Sequence, residues 1–305
     1  MIRYVPEPGI FPPKGAGVLM NGDLIVSDGI NRRGALRKGE YTKRHYFAML
    51  PYGMVRYHDA PADIRDLPPG THMHGRFLLP MKGEEETIPR RNHNHAILLE
   101  DDVSFYSRQG RSWKVVGIEQ GGGPAPRLKL SVTPVGPEIE GGINEPTLFD
   151  IDDSTRIWQD CRLVKRDQIK AGQEVQVNLT WGPFDSLAAT DVWIDAQSLE
   201  ACREIQRQKH LNLIRTRFLP GWVDAVKNND TGGGELTITF FGGMDPSLYT
   251  DIRDMKGRGP RICNAENTLR TWNYNQEYAS PSDLIERKET ADPTLGTRGF
   301  QIRVA

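Results

Sequence analysis

Histidine is the residue type best placed to do chemistry in this sequence, and it is concentrated in one part of the chain. Six of the seven histidines lie within residues 45–95. Four of these six form two His-x-His motifs, one with His72 and His74 and the other with His93 and His95. Because alternate side chains of a strand point to the same face, each motif would place two imidazole rings side by side. A pair of imidazole nitrogens is a common part of a transition-metal site.

The two motifs predict one shared site if their strands are neighbours in a sheet. Residues 78–92 between them are long enough for a hairpin-like return, which would bring His72, His74, His93 and His95 around one ion. Imidazole nitrogen favours zinc or copper over calcium or magnesium. We therefore predict a zinc or copper site with these four histidines as its metal ligands.

Three acidic residues follow the second motif, namely Glu100, Asp101 and Asp102. They could act as additional ligands or as hydrogen-bond partners that orient the imidazole rings. The alternative is that the histidines lie at strand ends beside a charged loop and hydrogen-bond there without any metal.

Other patterns give weaker indications of chemistry. Asp150, Asp152 and Asp153 could bind a hard cation through carboxylate oxygens, but they lack the spacing of an EF-hand loop, so a solvated turn is the alternative. The sequence contains no GxSxG, HExxH or GxxxxGK[ST] motif, and we assign no catalytic residue. Arginines and lysines of residues 203–217 form a basic stripe that could bind a single nucleic-acid strand, or simply face solvent.

Composition limits the classes of function. The chain has 305 residues, with 39 Lys+Arg and 40 Asp+Glu, so its formal net charge is −1. This balance makes a dedicated nucleic-acid binder a minor alternative, because such proteins carry a basic excess. No apolar run approaches the roughly 20 residues that a transmembrane helix needs. Residues 1–17 lack the apolar segment of a signal peptide, so we expect either a cytoplasmic protein or the mature form of an exported one.

The elements that must position the histidines are strands. In residues 154–181, Val175, Val177 and Leu179 alternate with polar residues, which is typical of a strand with one buried face. Gly172 precedes this strand and predicts a turn. Gly70 has the same place before the first His-x-His motif, which indicates that residues 154–181 have an earlier, degraded copy.

A further copy is predicted in the second half of the chain, where the segment that begins at Trp222 resembles the segment that begins at Trp113. Trp158 and Trp272 also occupy matching positions, and we predict that both are core residues. The predicted domains are an extended arm with a degraded barrel-like β-domain over residues 1–92, barrels over 93–195 and 218–305, and a connecting helix over 196–217. Ser198 is the predicted cap of that helix.

The strand order in these copies resembles the OB-fold, a five-stranded Greek-key barrel. The residues that carry this resemblance are the strands at 113–118, 128–132, 155–158 and 172–179, and the similar strand pattern over residues 222–304. We therefore predict an all-β protein with two or three small OB-like antiparallel barrels in tandem and one connecting helix.

The segments LPGWVDAV, TFFGGMDPSLY and TLRTW make the chain resemble uncharacterised exported bacterial proteins built of such barrels. That resemblance implies a periplasmic or cell-surface location and transfers no catalytic residue. We predict a non-enzymatic binding or structural module that contacts a protein or carbohydrate partner. The alternatives are a metal-binding protein or metal-dependent hydrolase that uses the His-x-His pairs, and a binder of single-stranded nucleic acid.

Overall fold

A computed structural model gives the structure of the protein, and it confirms the all-β class. The described residues are 15–28, 33–39, 42–80, 94–121, 127–217, 219, 221–230, 232–240, 245–250, 258–262, 280–292 and 297–305. These residues form eighteen strands and two α-helices.

The first six strands form a complete barrel. They are β1 (Gly15–Asp28), β2 (Arg33–Arg37), β3 (His45–Tyr57), β4 (Ala60–Ala62), β5 (His72–Pro80) and β6 (Asn94–Asp101). Hydrogen bonds join β1, β2, β3, β6 and β5 into a closed ring, and β4 pairs with β3. The β3–β6 pair is parallel and the other pairs of the ring are antiparallel. This ring is a five-stranded barrel of the OB type.

The domain boundary therefore differs from the predicted one. The sequence analysis placed residues 93–195, which follow a charged segment, in the second barrel. In the structure, β6 pairs with both β5 and β3, so the first barrel extends to Asp101. The charged segment thus joins two strands of one barrel, and the first barrel is complete instead of degraded. The predicted arm falls mostly on residues 1–14, which lie outside the described residues.

A second closed barrel follows. Its strands are β7 (Ser112–Gln120), β8 (Leu128–Val135), β9 (Thr147–Ile151), β10 (Arg156–Gln159), β11 (Arg162–Val164), β12 (Glu174–Trp181) and β13 (Leu187–Trp193). The ring order is β7, β8, β9, β13 and β12, and the parallel β9–β13 pair closes it. β10 and β11 form a hairpin attached to β13. The two barrels thus share one strand order.

The predicted match between Gly70 and Gly172 is confirmed in detail. Both glycines have positive φ, 91° and 86°, a conformation that glycine adopts without a steric penalty. The Gly70 N–H donates to the Leu24 carbonyl at 2.8 Å, as the Gly172 N–H does to Val115 at 2.8 Å. Strands β1 and β7 each have a register shift at this point. The repeat therefore includes the backbone hydrogen bonds as well as the apolar pattern.

The third sheet has a different strand order. Its strands are β14 (Gly221–Asn228), β15 (Gly234–Phe240), β16 (Arg258–Ile262), β17 (Ser280–Asp292) and β18 (Thr297–Val304). They pair in the order β14, β15, β18, β17 and β16, and the described residues do not close this sheet into a ring. β7, which carries Trp113, has a partner on each side, whereas β14, which carries Trp222, has only β15 among the described strands. The clear duplication therefore lies between the first two barrels.

The connecting helix has the predicted bounds. It is α2 (Ala196–Arg217), while a shorter helix, α1 (Asp102–Arg108), joins the first two barrels. The cap of α2 differs from the prediction, because the Ser198 N–H donates to the Asp195 carboxylate at 2.7 Å. Asp195 immediately precedes the first helical residue, which is the position of an N-cap. No helix in the described part of the chain has the length and apolar character needed to cross a membrane.

The basic stripe on α2 is used in ion pairs. Its pairs are Arg203 with Asp59, Arg207 with Asp245, and Lys209 with Asp66. The acidic partners Asp59 and Asp66 belong to the first barrel, so these pairs hold the helix against it. Because carboxylates already neutralise these three cations, the basic stripe no longer supports the nucleic-acid-binding alternative.

Trp158 is not the core residue that we predicted. Its side chain is half-buried and its Nε1–H donates to Asp191 at 2.9 Å, while the neighbouring Ile157 is buried in the barrel core. Alternation along a strand allows only one of two successive residues to face inward, and here it is Ile157. Trp272 lies outside the described residues.

A buried histidine on α2 leads to a prediction about pH. Burial lowers the pKa of His210, and the charges of Asp66, Asp63 and Asp245 only partly oppose this effect. In the unfolded chain the imidazole titrates near its ordinary pKa of about 6.5. Below that pH the unfolded state binds a proton that the folded state refuses, so acid lowers stability.

We therefore expect the free energy of unfolding to fall as pH drops from about 6.5 toward the lowered pKa, by up to about 1.4 kcal/mol per pH unit for this group. Urea unfolding of the unchanged protein and of His210→Leu at a series of pH values checks this. The variant should lose less stability between pH 7.5 and pH 5.5. Parallel pH profiles for the two proteins would contradict the prediction.

Candidate metal centre

The junction between the first two barrels brings together part of the predicted site. His72 and His74 lie on β5, and Met73 between them is buried in the core of the first barrel. Alternation therefore directs both imidazole rings to the outer side of the barrel. There they are covered by α1 and by β12 of the second barrel, so both histidines are buried.

Asp102 joins the two histidines. Its Oδ1 lies 2.8 Å from His72 Nδ1 and 2.9 Å from His74 Nε2. The three residues each offer one ligand atom, and these atoms lie within 4.8 Å of one another. Two imidazole nitrogens and one carboxylate oxygen thus converge on one small region.

Neighbouring groups fix this arrangement. The second oxygen of Asp102, Oδ2, accepts the Leu179 N–H of β12 at 2.9 Å. The His74 ring stacks on Phe105 of α1, with 3.8 Å between ring centroids and 2° between planes. Each side chain is therefore held by an element other than its own, which is the support that a preorganised ligand site needs.

The other two acidic residues of the predicted cluster have different partners. Glu100 forms a two-fold hydrogen-bonded ion pair with Arg108, at 2.8 and 2.7 Å. Asp101 is the N-cap of α1 and accepts the Ser104 N–H at 3.1 Å. It also accepts the Asn178 side-chain amide at 2.8 Å. Asp101 therefore ties α1 to the second barrel, and only Asp102 of the three carboxylates faces the histidines.

Burial and the neighbouring groups shift the pKa values of His72, His74 and Asp102 in different directions. Burial alone would lower the pKa of His72, but the charge and hydrogen bond of Asp102, helped by Asp23, raise it above its usual range. Burial lowers the pKa of His74 more than Asp102 can compensate. Burial would raise the pKa of Asp102, yet the two histidines hold it far below its usual range. Asp102 is thus the fixed negative charge of the junction.

The second His-x-His motif is not brought to this point by the described residues. β5 and β6 are antiparallel neighbours, as the predicted hairpin-like return requires, but the register places Glu100 opposite His74. His95 stands opposite Leu78. The side chain of His95 and the whole of His93 lie outside the described residues, so the four-histidine set stays a prediction.

The sequence analysis missed the groups that hold the cluster. Leu179 acts through its backbone and Phe105 through a ring contact, and neither leaves a motif in the sequence. A usable signal was the doublet of Asp101 and Asp102 directly after a strand. An aspartate such as Asp101 is a preferred N-cap, so the doublet indicates a helix start.

The alternative cation site is dispersed in the structure. Asp150 pairs with Lys129 and accepts the Ser186 hydroxyl at 2.7 Å. Asp152 accepts the Ser154 N–H at 2.8 Å, which makes the turn that was its alternative interpretation. Asp153 is exposed and pairs with Arg166 at 2.9 Å. Each carboxylate has its own partner, so these residues are not a candidate centre.

Comparison with known proteins gives no family for this chain. No protein-family model matches it, and no curated protein matches it. The chemistry of the centre is therefore argued from its geometry alone.

Two of the three separations between the ligand atoms are close to what a metal ion requires, and the two nitrogens lie within 4.8 Å of each other. Zinc lies about 2.0–2.1 Å from imidazole nitrogen and about 2.0–2.2 Å from carboxylate oxygen. Two such ligands are about 3.0 Å apart at a right angle and about 3.4 Å apart in a tetrahedron. The observed oxygen–nitrogen distances of 2.8 and 2.9 Å thus need only small outward movements. Two histidines and a carboxylate also leave coordination positions open.

Proposed function

We propose that this chain is a non-enzymatic binding protein whose bound ligand is a transition-metal ion, zinc or copper. The ion is held by His72, His74 and Asp102 between the first two barrels. The observation that carries the proposal is the convergence of two buried imidazole nitrogens and one buried carboxylate oxygen within 4.8 Å. Asp102 is itself bound to β12, so the ion would strengthen the junction between the barrels.

A further observation concerns access to the ligand atoms. His74 lines a cleft of about 240 Å³, which gives an ion a path to the otherwise buried ligands. An entry path and a supported ligand set are both requirements for a metal site.

The test is calorimetric titration of chelator-treated protein with zinc and with copper. We expect one ion per chain for the unchanged protein and more than about a 100-fold loss of affinity for His72→Ala/His74→Ala, since loss of a supporting group alone costs 10–100-fold. The matched control is His93→Ala/His95→Ala, which removes the second His-x-His motif and should bind like the unchanged protein. Circular dichroism checks that each variant is folded.

The outcomes separate three interpretations. Loss of binding in both double variants would favour the four-histidine site of the sequence analysis. Equal binding by all three proteins, or no binding by the unchanged protein, would reject the proposal and leave a hydrogen-bonded junction. A metal-dependent rise in melting temperature, absent in the first variant, would support the site independently of calorimetry.

A hydrolase that uses the same ion is the second candidate, because the ligand set leaves room for a water molecule. We favour the binding role because His72 and Asp102 are 3% and 1% exposed, so a substrate would have access only on the side of His74. An exported location and a protein or carbohydrate partner belong to the proposal through the resemblance to exported bacterial barrel proteins alone.

A further inference from the structure

A cleft beside His74 is lined by residues from both of the first two barrels and from the helix between them. Its volume is about 240 Å³. It is lined by Leu19, Met20, Asn21, Lys38, His74, Gly75, Phe105 and Gly141. These residues come from β1, β5, α1 and the segments after β2 and β8, so the cleft lies where the two barrels meet.

Lys38 and Asn21 of the cleft wall can donate to a ligand, His74 Nε2 is already bonded to Asp102, and no lining residue is a carboxylate. Lys38 brings a full positive charge, and Asn21 brings an amide that can both donate and accept. Lys38 lines the cleft, and its Nζ lies 5.5 Å from the centre of the Trp181 ring, which is outside the lining. Among the described residues no carboxylate lies within ion-pair distance of this ammonium group. The cleft therefore offers a positive charge that an anion can neutralise.

The rest of the wall is apolar. Leu19 and Phe105 form this part of the cleft, whereas the Met20 side chain packs against the core of the first barrel. Leu19 is 39% exposed although it is a large aliphatic residue. Gly141 adopts a positive φ of 74° beside Leu19. An apolar wall with a few convergent polar groups is the usual composition of a small-molecule site.

We propose that this cleft binds a small organic carboxylate whose apolar body packs against Leu19 and Phe105. The carboxylate pairs with Lys38, and Asn21 donates a hydrogen bond. The site is distinct from the proposed metal centre, although His74 contributes to both. It requires no ion, because Lys38 supplies the charge, so the two proposals can fail separately.

The experiment uses the full chain in the presence of a chelator, with binding followed by ligand-observed and protein-observed NMR at millimolar ligand. The probes are benzoate, phenylacetate and glucuronate, with benzamide as the neutral match of benzoate. We expect benzoate or phenylacetate to bind and benzamide to bind at least about tenfold more weakly. Lys38→Met should weaken carboxylate binding by at least about tenfold, a change typical of a lost charge-assisted contact.

The control variant is Lys43→Met, which removes an exposed lysine that does not line the cleft and should leave binding unchanged. Lys38 is itself exposed, so its replacement is compatible with folding. Equal binding of benzoate and benzamide, equal binding by the two variants, or no binding of the three carboxylates would overturn the proposal. Preferred binding of glucuronate would keep the Lys38 contact and reject the apolar part of the assignment.

Discussion

Replacing Asp102 with alanine is expected to lower the free energy of unfolding by about 3–5 kcal/mol, the usual cost of removing one partner of a buried ion pair. The substitution would leave His72 Nδ1, His74 Nε2 and the Leu179 N–H without their common acceptor. All three donors are buried, so water would not replace the lost oxygens without a rearrangement of the junction.

Urea unfolding in the presence of a chelator measures this loss without a contribution from metal. The matched control is Asp153→Ala, because that side chain is 96% exposed in its ion pair with Arg166. An exposed pair contributes little, so the control should change stability by less than about 1 kcal/mol. Similar small losses for both variants would mean that Asp102 does not hold the junction together.

Replacing Trp113 with alanine is expected to cost about 3–5 kcal/mol, the usual range for a large aromatic side chain removed from a core. Trp113 is 1% exposed. Its ring packs edge-on against Tyr106 and Phe149, with centroid distances of 5.1 and 5.4 Å. The substitution therefore removes apolar contacts and leaves a cavity in the second barrel.

Trp158→Ala is the matched control for this second prediction, because it removes the same side chain from a half-buried position of the same barrel. We expect a smaller loss of about 1–2 kcal/mol, mainly from the hydrogen bond to Asp191. The two variants are compared by the urea midpoint at constant slope. A larger loss for Trp158→Ala would restore that residue to the core and contradict the burial seen here.

The local features of the fold were predictable from the sequence. Alternation of Val175, Val177 and Leu179 correctly identified the inward face of β12, and all three residues are buried. Glycine before the strand correctly identified the turns at Gly70 and Gly172. Both signals depend on a few neighbouring residues, which is why one sequence is sufficient to read them.

The closure of the barrels was not predictable in the same way. β6 completes the first barrel by pairing with β3, far away in the chain. Nothing local to residues 94–101 distinguishes the last strand of one barrel from the first strand of the next. The resemblance of the segments at Trp113 and Trp222 likewise did not reveal that their strands have different neighbours. Strand order is decided by contacts between distant segments, which a single sequence does not display.

The placement of His72 beside His74 was predictable from the sequence, but the identity of their partner was not. The spacing of His72 and His74 correctly places two rings on one face, because that depends only on the period of a strand. The residues that face these two histidines from the neighbouring strand depend on the register between β5 and β6. The β5–β6 ladder shifts register between Arg76 and Phe77, and one shifted residue changes which side chains share a face. Such a shift leaves no reliable mark in the sequence.

Because the first two barrels share one strand order, His72 and His74 can be compared with the residues at the same positions in the second barrel. Since Met73 matches Val175, the positions of His72 and His74 correspond to Glu174 and Gln176 in the second copy. Gln176 donates to the backbone carbonyl of Arg111 at 2.8 Å, an ordinary structural contact. The same scaffold therefore accommodates carboxylate and amide side chains where the first copy has imidazoles. The two copies differ at these positions, and the imidazoles lie at the surface where the copies meet.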